Sequence, residues 1–127
     1  MAPVTALYTA LLALWVLVLL LRVVRMRWSY RVGEGAGEHR DLAKAIRVHA
    51  NAIETLPIAL LLMFGYELGG GSANWLHVCG ILLVLGRLGH ARGLSRTFGV
   101  SAGRIAGTTT VAAVVLTLAP LIIYRNI

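Results

Sequence analysis

Two sets of charged and polar residues interrupt otherwise apolar segments, and their spacing is suited to chemistry. In the first, Lys44, Arg47, Asn51 and Glu54 follow one another at intervals of three, four and three. On a helix these intervals place all four on one face, and Arg40 extends the row. In the second, Arg87 and His90 are three apart and share a face. Glu54 stands twelve residues before Tyr66, and Arg87 twelve residues after Trp75. With Tyr66 and Trp75 at one membrane interface, Glu54 and Arg87 fall at about equal depth, roughly 18 Å from it. On neighbouring antiparallel helices they could then meet as an ion pair. An isolated charge at that depth is costly, so each must pair or face water or a ligand.

Two readings of this set stand. Either Glu54, Arg87 and Asn51 hold the helices together, or they line a binding site. Arg47, His49, His90 and Arg104 add donors at the same end, more than one acid neutralises, and a surplus of cations around a cavity favours an anion. With Ser101 as an N-cap, Arg104 sits in the first turn of a helix, where a cation opposes the helix dipole. Free N–H groups beside a guanidinium suit an anionic ligand or a lipid headgroup. Arg22, Arg25 and Arg27 suit snorkelling to headgroups. His39 reads as solvated and His77 as interfacial. Cys79 is the one cysteine, inside an apolar run, which excludes an internal disulfide and suits a packed side chain. There is no metal-ligand spacing, phosphate-binding loop or serine-nucleophile motif.

The elements that must carry these residues are membrane helices. The 127 residues are 58% hydrophobic and only 13% charged, with mean hydropathy +0.80; soluble domains carry about a quarter charged residues. The pattern predicts an all-α integral membrane protein, a single domain over 1–127 forming an up-down four-helix bundle. The helices are expected at about 3–24, 41–67, 74–92 and 102–124. The first has no basic region before it and an apolar run too long for a signal peptide, so it is expected to remain in the mature protein. Pro57, three residues past Glu54, is expected to kink the second helix. The second and third helices each have only twelve uncharged residues in a row, Thr55 to Tyr66 and Trp75 to Gly86. Twelve residues cover roughly 18 Å, so these helices must bring polar groups into the membrane.

The net charge of +7 does not point to nucleic acid, because the basic residues flank or interrupt the apolar segments. Eleven of the twelve Lys and Arg residues fall at the first and third connections, leaving Arg125 at the other end. That asymmetry predicts both termini on the non-cytoplasmic side. Aromatics at Trp28 and Tyr30 on one side, and at Tyr66, Trp75 and Tyr124 on the other, fit two interfacial belts.

The stretch Arg47-Val-His-Ala-Asn51-Ala-Ile-Glu54-Thr-Leu-Pro57 resembles the MAPEG family, membrane-associated proteins in eicosanoid and glutathione metabolism. Gly86-Arg87-Leu-Gly-His90 is similar to that family's third-helix motif, and the likeness extends over the whole chain in length and helix order. The short form looks like the bacterial branch, which implies the bacterial inner membrane. The resemblance implies a homotrimer with glutathione, a co-substrate, held between subunits near the cytoplasmic face. By position, Arg47, Asn51, Glu54, Arg87 and His90 would contact glutathione, and Arg104 would stand near its thiol. The first-helix arginine of such a site would be Arg22 or Arg25. The implied activity is a glutathione-dependent transferase or peroxidase acting on lipophilic electrophiles, the thiolate being stabilised by arginine. The family pattern is broken at Ala50, at Leu94, where a tyrosine is common, and at Ile105, where some members have serine. Leu94 and Ile105 favour an alternative: a non-catalytic membrane protein that binds an anionic ligand or lipid in the same pocket. Arg104 favours the enzyme. The partners expected are membrane lipid, further copies of the chain and a lipophilic small molecule, with no nucleic acid.

Overall fold

The computed structural model describes residues 1–96 and 102–127, with side chains at 1–91 and 105–127. It contains four helices and, among the described residues, no strand: α1 Pro3–Tyr30, α2 Arg40–Leu68, α3 Ala73–Arg96 and α4 Ala102–Asn126. They alternate in direction as an up-down bundle. Among the described residues three are long and apolar enough to cross a membrane: α1, α2 and the Ile105–Asn126 part of α4. α3 has 24 residues, about 36 Å at helical rise, but Arg87 breaks its apolar run. Large apolar side chains cover the outside, among them Leu14, Leu61, Leu85 and Leu116. In a bundle solvated by acyl chains this is the expected exterior.

Pro3 opens α1 at a first-turn position, where its missing N–H costs nothing. The helix continues past Val24, where the apolar run ends, through Tyr30. No breaker precedes Gly33, so the basic residues complete two further turns. Arg31 closes it in the left-handed region at φ 55°, and the Val32 amide reaches the Arg27 carbonyl. The Tyr30 hydroxyl donates to Asp41 Oδ2, and its ring stacks on His39 at 4.0 Å. The end of α1 is thereby tied to the start of α2. α2 runs unbroken through Pro57.

The opposite end is held by three further links. The Glu67 carboxylate accepts from the free backbone amides of Val4 (2.9 Å) and Thr5 (2.7 Å) at the start of α1, which is where an anion complements the helix. Tyr8 Oη and His77 Nδ1 lie 3.0 Å apart, joining α1 to α3. Arg125 donates to the Gly69 carbonyl at 2.6 Å and lies over the Tyr66 ring.

α3 packs most extensively on α4, and α1 on α2; α2 also touches both α3 and α4, while α1 and α4 sit across the diagonal. Lipid offers no hydrophobic drive for helix association, so small residues at the contacts matter. Gly86 faces Thr110 so closely that a Cβ would collide with its hydroxyl, and a Cβ on Gly107 would strike the His90 side chain. These two glycines set the α3–α4 separation. Gly86→Ala is therefore expected to lower unfolding free energy in detergent by about 1–3 kcal/mol. Thr110→Ala in the same chain should restore part of it, and an unchanged thermal midpoint in the single variant would show the helices are not held this close.

Candidate functional site

The core-facing stripe of α3 is Leu76, Cys79, Leu83, Arg87 and His90, at helical intervals of three and four. The arginine and histidine are thus carried inward by the same face as the apolar residues. Arg87 is 2% exposed and His90 5% exposed. Because Gly107 has no side chain, its backbone lies open to α3. Arg87 Nη2 donates to the Gly107 carbonyl at 2.9 Å, and Nη1 donates to Asn51 Oδ1 at 2.7 Å. Thr110 Oγ1 also donates to that carbonyl, at 3.0 Å. One guanidinium therefore joins α2, α3 and α4. Its Nε is buried with no partner among the described residues.

The expected Glu54–Arg87 ion pair does not form: Glu54 is exposed, and Arg87 turns to Asn51 and Gly107 instead. The rotation of α2 explains this. Its buried face consists of Leu42, Ala45, Val48, Ala52, Leu56, Ala59 and Met63. At 100° per residue, Arg47 and Glu54 lie roughly 160° from the centre of that face, whereas Asn51 lies roughly 110° away. Only Asn51 can therefore reach inward. An arginine at membrane depth costs about 2.5–3.5 kcal/mol on insertion scales, and a hydrogen bond to a charged group contributes about 1.5–3 kcal/mol. Two such bonds to neutral acceptors are enough to hold Arg87 without a carboxylate.

The sequence-derived set thus falls into two layers. Arg87 and His90 are buried inside the subunit. Asn51 is half-buried at its surface, and Arg47 and Glu54 are exposed one turn to either side of it. The row is not enclosed within the subunit but faces outward from it. Arg104 lies in the first turn of α4; its side chain lies outside the described residues, as do Leu94 and Ser101. Ile105 is exposed, as are Arg22 and Arg25. His49 is half-buried. His77 is the partner of Tyr8, an interaction its interfacial position did not reveal. The carbonyl of Gly107 also escaped the sequence reading; the signal available for it was a glycine on α4 at the depth of a charged residue on α3.

A groove of about 670 Å³ lies between α1 and α2, lined on α2 by Pro57, Leu60, Leu61 and Phe64 and on α1 by a stripe including Thr5, Ala6 and Ala13. It is apolar, and its inner end at Pro57 is one turn from Glu54.

The family model described as "MAPEG family" covers residues 5–124. The chain belongs to the MAPEG family. It is also 46% identical over 90 residues to the inner membrane protein YecN of Escherichia coli K12, covering 71% of this chain and 69% of that protein. The same figures hold for YecN of Escherichia coli O6:H1. In this MAPEG chain the two ends of the Arg87–Asn51 contact are not equivalent. Asn51→Leu leaves a buried cation short of an acceptor, whereas Arg87→Met removes the charge itself. Asn51→Leu is expected to destabilise by about 2–3 kcal/mol, and more than Arg87→Met. Equal losses in detergent melting curves would mean that Asn51 contributes no acceptor.

Proposed function

We propose that this protein binds glutathione against the outward polar face of α2 and uses it to attack lipophilic electrophiles, as a transferase or peroxidase. The observation that carries the reading is the outward row of exposed Arg47, half-buried Asn51 and exposed Glu54 at membrane depth, backed by the buried charge of Arg87. Such a row cannot face acyl chains, so something polar must cover it. A neighbouring subunit of a homotrimer and a bound peptide would do so together. Family membership supports glutathione as that peptide, and the eleven basic residues at this end support its anionic character. Likeness to an inner membrane protein supports the same location here, and the eleven-to-one asymmetry of basic residues supports both termini away from the cytoplasm.

In this scheme Arg47 holds a glutathione carboxylate, for which a guanidinium offers paired donors. Asn51 and Glu54 take the peptide's polar groups, Arg87 and His90 support the row from behind, and Arg104 stands at the thiol. A free thiol has pKa about 8.5, and a guanidinium nearby favours the thiolate. The thiol proton leaves to water. For a transferase, the thiolate sulfur forms a bond to the electrophilic carbon, and the leaving group or the adjacent π system accepts the electron pair. For a peroxidase, sulfur attacks the hydroperoxide O–O bond, giving a sulfenic acid and an alcohol; a second glutathione then yields the disulfide and water. The apolar groove ending at Pro57 supports entry of the second substrate from lipid. The exposed Ile105 and the loss of tyrosine at Leu94 favour the other reading, in which an anionic ligand or lipid is bound without chemistry.

Purified protein in detergent should show ultraviolet thiolate absorbance on adding glutathione, abolished by Arg104→Ala and partly kept by Arg104→Lys. Thermal stabilisation by glutathione without a thiolate signal would leave binding alone. Neither response in the wild-type protein would remove glutathione as the ligand.

A further inference from the structure

We infer that Arg87 is a positioning residue: it fixes the Asn51 carboxamide with its Nδ2 amide turned out of the subunit, so that the row presents a donor where an untethered asparagine could present either end. The inference deepens the proposed site and rests on that reading for its ligand, though its geometric half stands alone.

A guanidinium has five N–H donors and no acceptor. The Asn51 atom 2.7 Å from Arg87 Nη1 must therefore be the carbonyl Oδ1, which settles the orientation of an otherwise ambiguous side chain. The carboxamide is planar, so Nδ2 points away from the oxygen. Asn51 is half-buried, and Nδ2 is not one of the buried unpartnered atoms among the described residues. Asn51 is also held from its backbone side, where its carbonyl accepts from Thr55 Oγ1 at 2.6 Å. Arg87 in turn cannot swing away, because Nη2 is tied to Gly107 and the α3–α4 contact is fixed by glycines. At 2% exposure it touches no ligand on the outer face of α2. It acts through Asn51.

The outward row then has a fixed polarity. Arg47 and Asn51 donate, and Glu54 accepts. A free asparagine could accommodate either an acceptor or a donor on the ligand; a locked one rejects a donor, since two N–H groups would face each other unpaired. The site is thereby set for a carboxylate or amide carbonyl opposite Asn51.

Asn51→Asp separates this role from a structural one. Aspartate keeps the acceptor for Arg87 and adds a charge pair, but it loses the outward donor. The thermal midpoint is expected to stay level or rise, while glutathione affinity, read by titration calorimetry, falls about tenfold or more, as for one lost hydrogen bond to a charged group. Arg87→Lys, which keeps a donor to Oδ1, should retain more affinity than Arg87→Leu. Wild-type affinity in Asn51→Asp would overturn the inference. A second measurement needs no ligand. The Asn51 side-chain amide resonance, assigned by its absence in Asn51→Asp, should be broadened by a water-soluble paramagnetic chelate. A shielded resonance would show Nδ2 facing inward and would overturn the inference. If wild-type protein ignores glutathione, the proposed function fails, while the resonance still decides which way Asn51 points.

Discussion

A cation enclosed in a bundle with a greasy exterior has few ways to be satisfied, and Arg87 uses two of them at once. One arm of its guanidinium takes the side-chain oxygen of Asn51 on α2, the other the backbone oxygen of Gly107 on α4. Both acceptors are neutral. The second is open only because α4 has no side chain at that position, and the approach of α3 to α4 depends on the same kind of vacancy at Gly86. The charge, the glycines and the helix separation are thus one constraint. If the helices moved apart, Arg87 would lose an acceptor in a medium that offers no water to replace it.

That constraint also orders the outer surface. With Asn51 drawn toward α3, the rotation of α2 is fixed, and Arg47 and Glu54 are left on the far side from the core. In water such a row needs no explanation. In a membrane it is an unsolved surface on a single subunit, and covering it is the physical reason to look for a neighbouring copy and a polar ligand in one place. The proposed glutathione site follows from this more directly than from any pocket inside one chain.

Much of the architecture was readable from residue order. The long apolar runs and the clustering of basic residues point to four alternating helices, and the shared depth of the α2 and α3 polar sets is met by the Asn51–Arg87 contact. Which side of α2 faces inward was not read correctly. The row was placed toward α3 because a charge facing lipid is costly, which led to the Glu54–Arg87 pairing; here the row faces out, and apolar residues such as Ile53, Ile58 and Leu61 are exposed as well. The discriminating signal was the small residues Ala45, Ala52 and Ala59, seven apart and all buried. In lipid it is smallness, not greasiness, that marks a helix contact. The Glu54–Arg87 pairing failed for the same reason, since equal depth says nothing about rotation. Arg104 lies in the first turn of its helix, while the Ser101 cap expected for it lies outside the described residues.

The two ends of the bundle are secured by different chemistry. At the end bearing the termini, each link joins a side chain to a backbone group or ring that is itself at a helix terminus or close to one: Glu67 to the first amides of α1, Arg125 to the Gly69 carbonyl, Tyr8 to His77. These links use groups that water or headgroups would otherwise satisfy, so they hold the helices without enclosing a charge. At the other end the helices are joined well inside the bundle by Arg87, and Arg47 and Glu54 are left outward and available. A protein needing only to stand in a membrane would gain nothing from this second arrangement, because an apolar contact of the same volume would hold the helices as well and without the cost of burying a cation. An arginine where leucine would pack is what the proposed presentation of Asn51 at the subunit surface requires.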